Sequence, residues 1–379
     1  MTKASSFHNE FPLNDDLIYL NHAAVSPWPQ RSGLAVKRFA EENVHQGAYL
    51  YPEWMKQEAC LREQLRQLIN AQSADDIALL KNTSEALSVV AHGLDWSTGD
   101  NIIISDQEFP SNRMVWESLH SQGVQLRQVE LTTAESPEQA LIAAIDSQTR
   151  LLSISSVQYA SGLRMDLVKL GEACARHNVL FCVDAIQSVG ALQIDVQEIQ
   201  ADFVMADGHK WMLGPEGLAF FYSRASVREQ LKLHQFGWHM AEDYLNFDNR
   251  DWQIAKSARR FECGSPNMLG IYALSASLSL LLETGMHLIE HQVLDNSRHL
   301  FAEIKATKNL QILSNTDEGR FAGIVLFQHS QLPAQELYAS LMQKGVVCAA
   351  RGLGVRFSPH FYTSKKQISE AVSMADSLD

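Results

Sequence analysis

Short apolar runs recur along the first two thirds of the chain, at residues 76–80, 101–105, 124–129, 151–155, 179–183, 202–206 and 218–222. Continuous rather than alternating hydrophobicity over four to six positions is what a strand covered on both faces requires. Seven such runs separated by helical spacing predict an α/β architecture with a mainly parallel sheet flanked by helices. Two of the helices have legible starts. Asn82-Thr83-Ser84-Glu85 combines capping residues with an early glutamate, and Ser136-Pro137-Glu138 places proline at a first helical position. Past residue 270 the pattern changes to long amphipathic helices at 269–283 and 286–307, then short strands and a helix at 333–344. This predicts a large domain at 16–268 and a smaller α+β domain at 269–379, joined by the N-terminal segment 1–15. There is no internal repeat or low-complexity linker.

In open α/β sheets, chemistry gathers beyond the carboxyl ends of the strands. Thr83, Gln158, Asp184 and Lys210 each follow an apolar run and are therefore expected on one edge. Lys210 lies in Asp207-Gly208-His209-Lys210-Trp211-Met212-Leu213-Gly214-Pro215-Glu216-Gly217, and Asp184 opens Asp184-Ala185-Ile186-Gln187. A lysine able to form a Schiff base, with an acid able to keep a pyridine nitrogen protonated, is what pyridoxal 5'-phosphate (PLP) chemistry needs.

Composition narrows the partners. A formal charge of -13 over 379 residues leaves no basic stripe for nucleic acid or an anionic membrane surface. No apolar run approaches the roughly 20 residues of a membrane span, and the first ten residues lack the apolar core of a signal peptide. Five scattered cysteines without C-x-x-C spacing fit a reducing, cytoplasmic setting with no disulfide framework. His287-Leu288-Ile289-Glu290-His291 matches H-x-x-E-H but has no accompanying ligand, so no metal is expected.

Taken in order from Tyr19-Leu20-Asn21-His22-Ala23-Ala24 to Arg356-Phe357-Ser358-Pro359-His360, the chain resembles the class V aminotransferase family of fold-type I PLP enzymes. That family includes cysteine desulfurases, selenocysteine lyases, kynureninases and isopenicillin N epimerases. The resemblance implies Lys210 as the Schiff-base lysine and proton carrier, and Asp184 as the partner of the pyridine nitrogen. It implies Thr83, Ser84 and His209 at the phosphate, Phe109 stacked on the ring, and Gln187 bonded to the phenolic oxygen. Ser265 would reach the phosphate of a second copy, making a homodimer with shared sites. Arg356 would clamp the substrate's α-carboxylate, with Gln158 nearby.

Two departures matter. Phe109 stands where desulfurases carry histidine, and Asp207 where they carry serine. No cysteine precedes Arg356 on a loop, and Cys348, at the end of an apolar run, is expected to be buried packing. The resemblance thus points to transamination or epimerisation of an amino acid or small derivative. The alternatives are a β-elimination lyase or desulfurase-like activity without a persulfide-carrying cysteine, and a regulatory protein that binds PLP without catalysis.

Overall fold

A computed structural model describes residues 7, 9–131 and 136–378. The chain enters through β1 (Ile18–Tyr19), α1 (Gln30–Gln46) and α2 (Tyr51–Leu68). It then alternates through β2 (Ile77–Leu80), α3 (Thr83–Gly93), β3 (Asn101–Ser105), α4 (Ser111–Glu117), β4 (Gln125–Val129), α5 (Pro137–Ala143), β5 (Thr149–Ser155), α6 (Leu167–His177) and β6 (Leu180–Asp184). Next come β7 (Phe203–Asp207), β8 (Ala219–Ser223), α7 (Ala225–Arg228), α8 (Met268–Thr284) and α9 (Met286–Ala306). The last elements are β9 (Leu310–Ile312), β10 (Val325–His329), α10 (Ala334–Gln343), β11 (Val346–Val347), β12 (Ala349–Arg351), β13 (Gly354–Phe357) and α11 (Lys365–Asp376).

All seven apolar runs of the large domain become strands of one sheet, in the order β2-β8-β7-β6-β5-β3-β4. Successive side chains leave opposite faces of a strand, so each run feeds two cores. Ile103, Phe181, Val183, Val204 and Ala206 pack on one face, and Ile102, Ile104, Cys182, Phe203 and Met205 on the other. One strand departs from the parallel pattern, because β8 runs antiparallel to both β7 and β2. An apolar run carries no sign of its direction. The direction follows from the connection: residues 208–218 fall short of the dozen or so that a parallel crossover needs. The strand therefore returns directly, and the loop that turns it carries Lys210.

The helix starts follow local chemistry. Asn82 accepts from the amide of Glu85 (2.9 Å) at the head of α3, and Glu85 accepts from the amide of Lys81 (2.6 Å). Ser136 caps α5 ahead of Pro137.

A second, antiparallel sheet, β12-β13-β10-β9, packs with α9, α10 and α11 around its own core of Leu300, Phe327, Leu337, Val355 and Ile368. Residues 18–21 join this unit, since β1 pairs with β11 in parallel and Asn21 bridges Ser358. α8 packs with α1 and α2 in the larger core, and the change of core falls inside α9, between Val293 and Leu300. Among the described residues no single helix is long and apolar enough to cross a membrane.

Candidate active site

The Lys210 loop is held rigidly from several sides. Gly208 donates its amide to Leu218 (2.9 Å), Gly214 to Gly208 (2.8 Å) and Leu213 to Lys210 (2.9 Å). Leu213 is fully buried with φ 60°, a left-handed conformation that costs a side-chain-bearing residue on the order of 1–3 kcal/mol. Ser277 on α8 donates to the Leu213 carbonyl (2.7 Å) and helps fix it. Behind the loop, Gly190 has φ +97°, and a Cβ there would lie 2.3 Å from the Trp211 carbonyl oxygen, so this close approach requires glycine.

His360, from the small unit, reaches the residue after the lysine. Its Nδ1 accepts from the Phe361 amide (2.8 Å), which leaves Nε2 to donate to the Trp211 carbonyl (3.0 Å). Complete burial drives His360 down to about 4 and keeps it neutral in this role. The Trp211 indole donates to Gln187 Oε1 (2.9 Å), and Gln187 Nε2 donates to the Ala23 carbonyl (3.0 Å). The amide of Ser26 donates to the His209 carbonyl (2.8 Å). Both the N-terminal segment and the small unit thus set the position of Lys210.

Burial governs the electrostatics. Desolvation is the largest influence on Lys210 and lowers it to about 8, with Arg356 and Arg351 pushing the same way and Asp184 and Asp207 opposing. Desolvation likewise raises Asp184 to about 7 against the pull of the Ile186 amide (3.1 Å) and of Lys210, while Glu108 and Asp207 raise it further. Asp184 and Lys210 are both drawn toward their neutral forms by burial, and the charge of each opposes that shift in the other. The Phe109 ring lies 5.6 Å from Lys210 Nζ, edge-on to Tyr159 at 5.2 Å, and is 42 % exposed.

Arg356, on β13, is 1 % exposed. Its Nη1 donates to the Tyr159 carbonyl (2.6 Å), but Nε and Nη2 have no partner among the described residues. Burial, with Arg351 adding like-charge repulsion, brings the guanidinium down to about 9, still protonated at neutral pH. A buried cation without an acid is costly unless an anion completes it.

The remaining expected residues fall as follows. Thr83 is buried with its hydroxyl unpartnered at the head of α3, where the first helical amides lack intrahelical acceptors. Ser84 donates to Ser111 (2.8 Å). His209 Nδ1 lies 3.0 Å from Asp207 Oδ1 at an angle that fails a hydrogen bond, and both atoms are buried. Ser265 is exposed and lines a cleft with Lys81, Glu85 and Gly217, beside the start of α3. Gln158 is fully buried and donates to Glu108 (2.9 Å) and Ser105 (3.2 Å), which leaves Oε1 unpartnered. That free atom is an acceptor, whereas a carboxylate needs a donor. Among the described residues, Arg356 is the one of the two that keeps free donors.

Sequence reasoning passed over Glu108, which underlies this arrangement. Its carboxylate accepts from Ser105 Oγ (2.8 Å), Asn112 Nδ2 (2.7 Å), the Ser155 amide (3.1 Å) and hydroxyl (2.5 Å), and Gln158 (2.9 Å). An acceptor with that many donors fixes which way the Gln158 amide points. Arg351, Trp211 and His360 were also passed over. In the H-x-x-E-H stretch His287 and His291 are exposed, and Glu290 binds Arg164 and Gln193. Glu58, His239 and Glu262 do gather in the interior, but Arg62 bridges the two carboxylates.

Thr83, Gln158 and His209, each with an unpartnered buried atom, follow the carboxyl ends of β2, β5 and β7, as Lys210 does; Asp184 ends the neighbouring β6, Phe109 lies to one side of the lysine, and the charge of Arg356 is felt there. Donors for a phosphate, an acid for a ring nitrogen and a buried amine fit PLP, and they make the class that of a fold-type I PLP-dependent enzyme. The class V aminotransferase family model matches residues 18–370, and the chain belongs to that family. A probable cysteine desulfurase of Methanothermobacter thermautotrophicus is 28 % identical over 97 % of this chain and 96 % of its own length. Two solved structures share the fold. C-DES, in a lysine-to-alanine mutant with glycine covalently linked to its PLP cofactor, has TM-score 0.91 and 20 % identity, covering 98 % of this chain and 99 % of that one. The cystine C-S lyase C-DES, in complex with its product cysteine persulfide, has TM-score 0.89 and 21 % identity over 97 % and 99 %.

Proposed function

We propose that this PLP-dependent enzyme is a C–S lyase that acts by β-elimination on a sulfur-bearing amino acid. This is the alternative reading of the sequence, and it is preferred to transamination or epimerisation because the relative and the cystine lyase structures described above are named for sulfur chemistry. The single observation that carries an amino-acid substrate is Arg356, whose two free donors on a buried cation suit a bidentate α-carboxylate. PLP, when bound, supplies the electron sink that acidifies the substrate's α-proton.

The chain's own groups do the rest. Lys210 is the nucleophile that holds the cofactor and, released by substrate, the base at the α-carbon; its lowered pKa of about 8 makes a usable fraction neutral near physiological pH. Asp184 would partner the ring nitrogen, and Phe109 would cover the ring. Thr83, Ser84 and His209 would hold the phosphate, joined by Ser265 of a second copy. Gln187 has one amide hydrogen beyond its bond to Ala23 that would serve the phenolic oxygen. The sulfur departs with its electron pair on the leaving group, not onto an enzyme thiol. Cys348 is 2 % exposed and pushed up to about 12 by burial, so it offers no thiolate to receive it.

The test is an absorbance scan of purified protein, followed by a panel of sulfur-containing amino acids with keto acid and thiol measured together. A band near roughly 420 nm, expected for a lysine-bound PLP, should be absent in Lys210→Ala. Substrates should yield keto acid and thiol in equal amounts. A protein without the band would overturn the PLP reading, and one that has the band and shifts spectrally with amino acids but releases nothing would favour the regulatory reading.

A further inference from the structure

Arg356 has a neighbour that the carboxylate clamp does not use. β12 and β13 form a tight antiparallel hairpin in which Ala349 pairs with Arg356 and Arg351 with Gly354. Directly opposed residues project from the same face, and so do residues two apart. Arg351 and Arg356 therefore share one face, as diagonal neighbours with Cα atoms roughly 7–8 Å apart. The positions between them on that face are Ala349 and Gly354, which put little side chain in the way.

Arg351 is half-buried, its Nη1 donates to the carbonyl of the adjacent Ala350 (2.7 Å), and it has no acidic partner among the described residues. It lies close enough to Lys210 and to Arg356 for its charge to be felt by both. Two guanidinium groups side by side without an intervening carboxylate repel each other. Such an arrangement is sustained where an anion meets each of them.

We propose that Arg351 forms a second anion subsite beside Arg356, so that the enzyme selects substrates bearing a distal carboxylate in addition to the α-carboxylate. The subsite deepens the reading given above and rests on it for the placement of the α-carboxylate on Arg356. The spacing of the arginines suits an acid several bonds beyond the β-carbon, carried on the sulfur substituent, rather than one on the β-carbon itself.

The experiment compares S-(2-carboxyethyl)-L-cysteine with its amide S-(2-carbamoylethyl)-L-cysteine, which differ only in the distal charge. Holoenzyme is titrated with each while the cofactor absorbance reports binding, and kcat/KM is measured from keto acid release. The wild type should favour the acid by about 10- to 100-fold, the range of one charge-assisted hydrogen-bonded contact. Arg351→Gln should bring that ratio close to one and leave the amide nearly unchanged. Arg356→Gln should weaken both compounds alike. A wild type that binds acid and amide equally, or an Arg351→Gln variant that keeps the wild-type ratio, overturns the subsite. The wild-type comparison stands even if the variant does not fold. If neither compound is turned over, the lyase reading fails while the binding ratio still decides the subsite.

Discussion

Two arginines largely removed from solvent, one on α2 and one on β13, show what distinguishes structure from function here. Arg62, on α2, donates to Glu58 (2.5 Å), to both oxygens of Glu262 (2.6 and 2.7 Å) and to the Ile77 carbonyl (2.8 Å). Those carboxylates outweigh its desolvation and hold it above the ordinary arginine range. Arg356 is more deeply buried but meets one carbonyl, keeps two donors free and is drawn down to about 9. The first charge is completed by the chain itself and belongs to the fold. The second is left incomplete by the described residues, which is what the proposed carboxylate site requires.

Substitutions should separate the two. Arg62→Gln strands two buried carboxylates and is expected to cost about 3–5 kcal/mol of stability, the usual penalty for breaking a buried pair. Denaturant unfolding checks this, and the kcat/KM of the fraction still folded should be little altered. Arg356→Gln should reverse the pattern. Unfolding stability should hold or rise, while kcat/KM falls by roughly 30- to 5000-fold, equivalent to the 2–5 kcal/mol of a buried charge contact. A stability loss at Arg356 matching that at Arg62 would erase the distinction.

Glu108 stands between these cases, being a closed network that serves the site. Glu108→Gln places amide hydrogens against a donor and should cost about 1–3 kcal/mol of stability. It also frees Gln158 to reverse its amide. The expected signature is a raised KM together with a lowered melting temperature, and a variant that moves neither would remove Glu108 from the account.

The smallest effect concerns pH. Only neutral Lys210 attacks an aldehyde, and its pKa is depressed, so capture of PLP by cofactor-free protein should rise with pH around a midpoint near 8 instead of 10.5. Asp184 holds that value up, so Asp184→Asn should move the midpoint lower. Borohydride trapping across a pH series gives both midpoints.

The sequence was most legible where one cause dominated. The seven strands of the large sheet show as apolar runs because both faces are buried, and Asn82 and Ser136 announce their helices through local capping. The direction of β8 was hidden, since it depends on the length of a connection and not on the strand's composition. The helices α1 and α2 were harder to see because most of their residues are polar. Lys210 and Asp184 were visible as polar residues just past apolar runs. Glu108 was not, because its significance lies in donors brought from β3, α4 and β5. Arg351 sits in a short Gly-containing stretch, and only the pairing register places it beside Arg356. Contacts made across the fold leave no local trace in composition or spacing.

The central claim is that this site breaks a C–S bond with no enzyme thiol as acceptor. Mass and NMR analysis of the products from S-(2-carboxyethyl)-L-cysteine tests it most directly. A lyase consumes one water and releases one pyruvate, one ammonium and one 3-mercaptopropionate per substrate. Equal amounts of these three products are the expected result. An inverted amino acid, a keto acid that retains its sulfur, or alanine with sulfur left on the protein would each contradict the account.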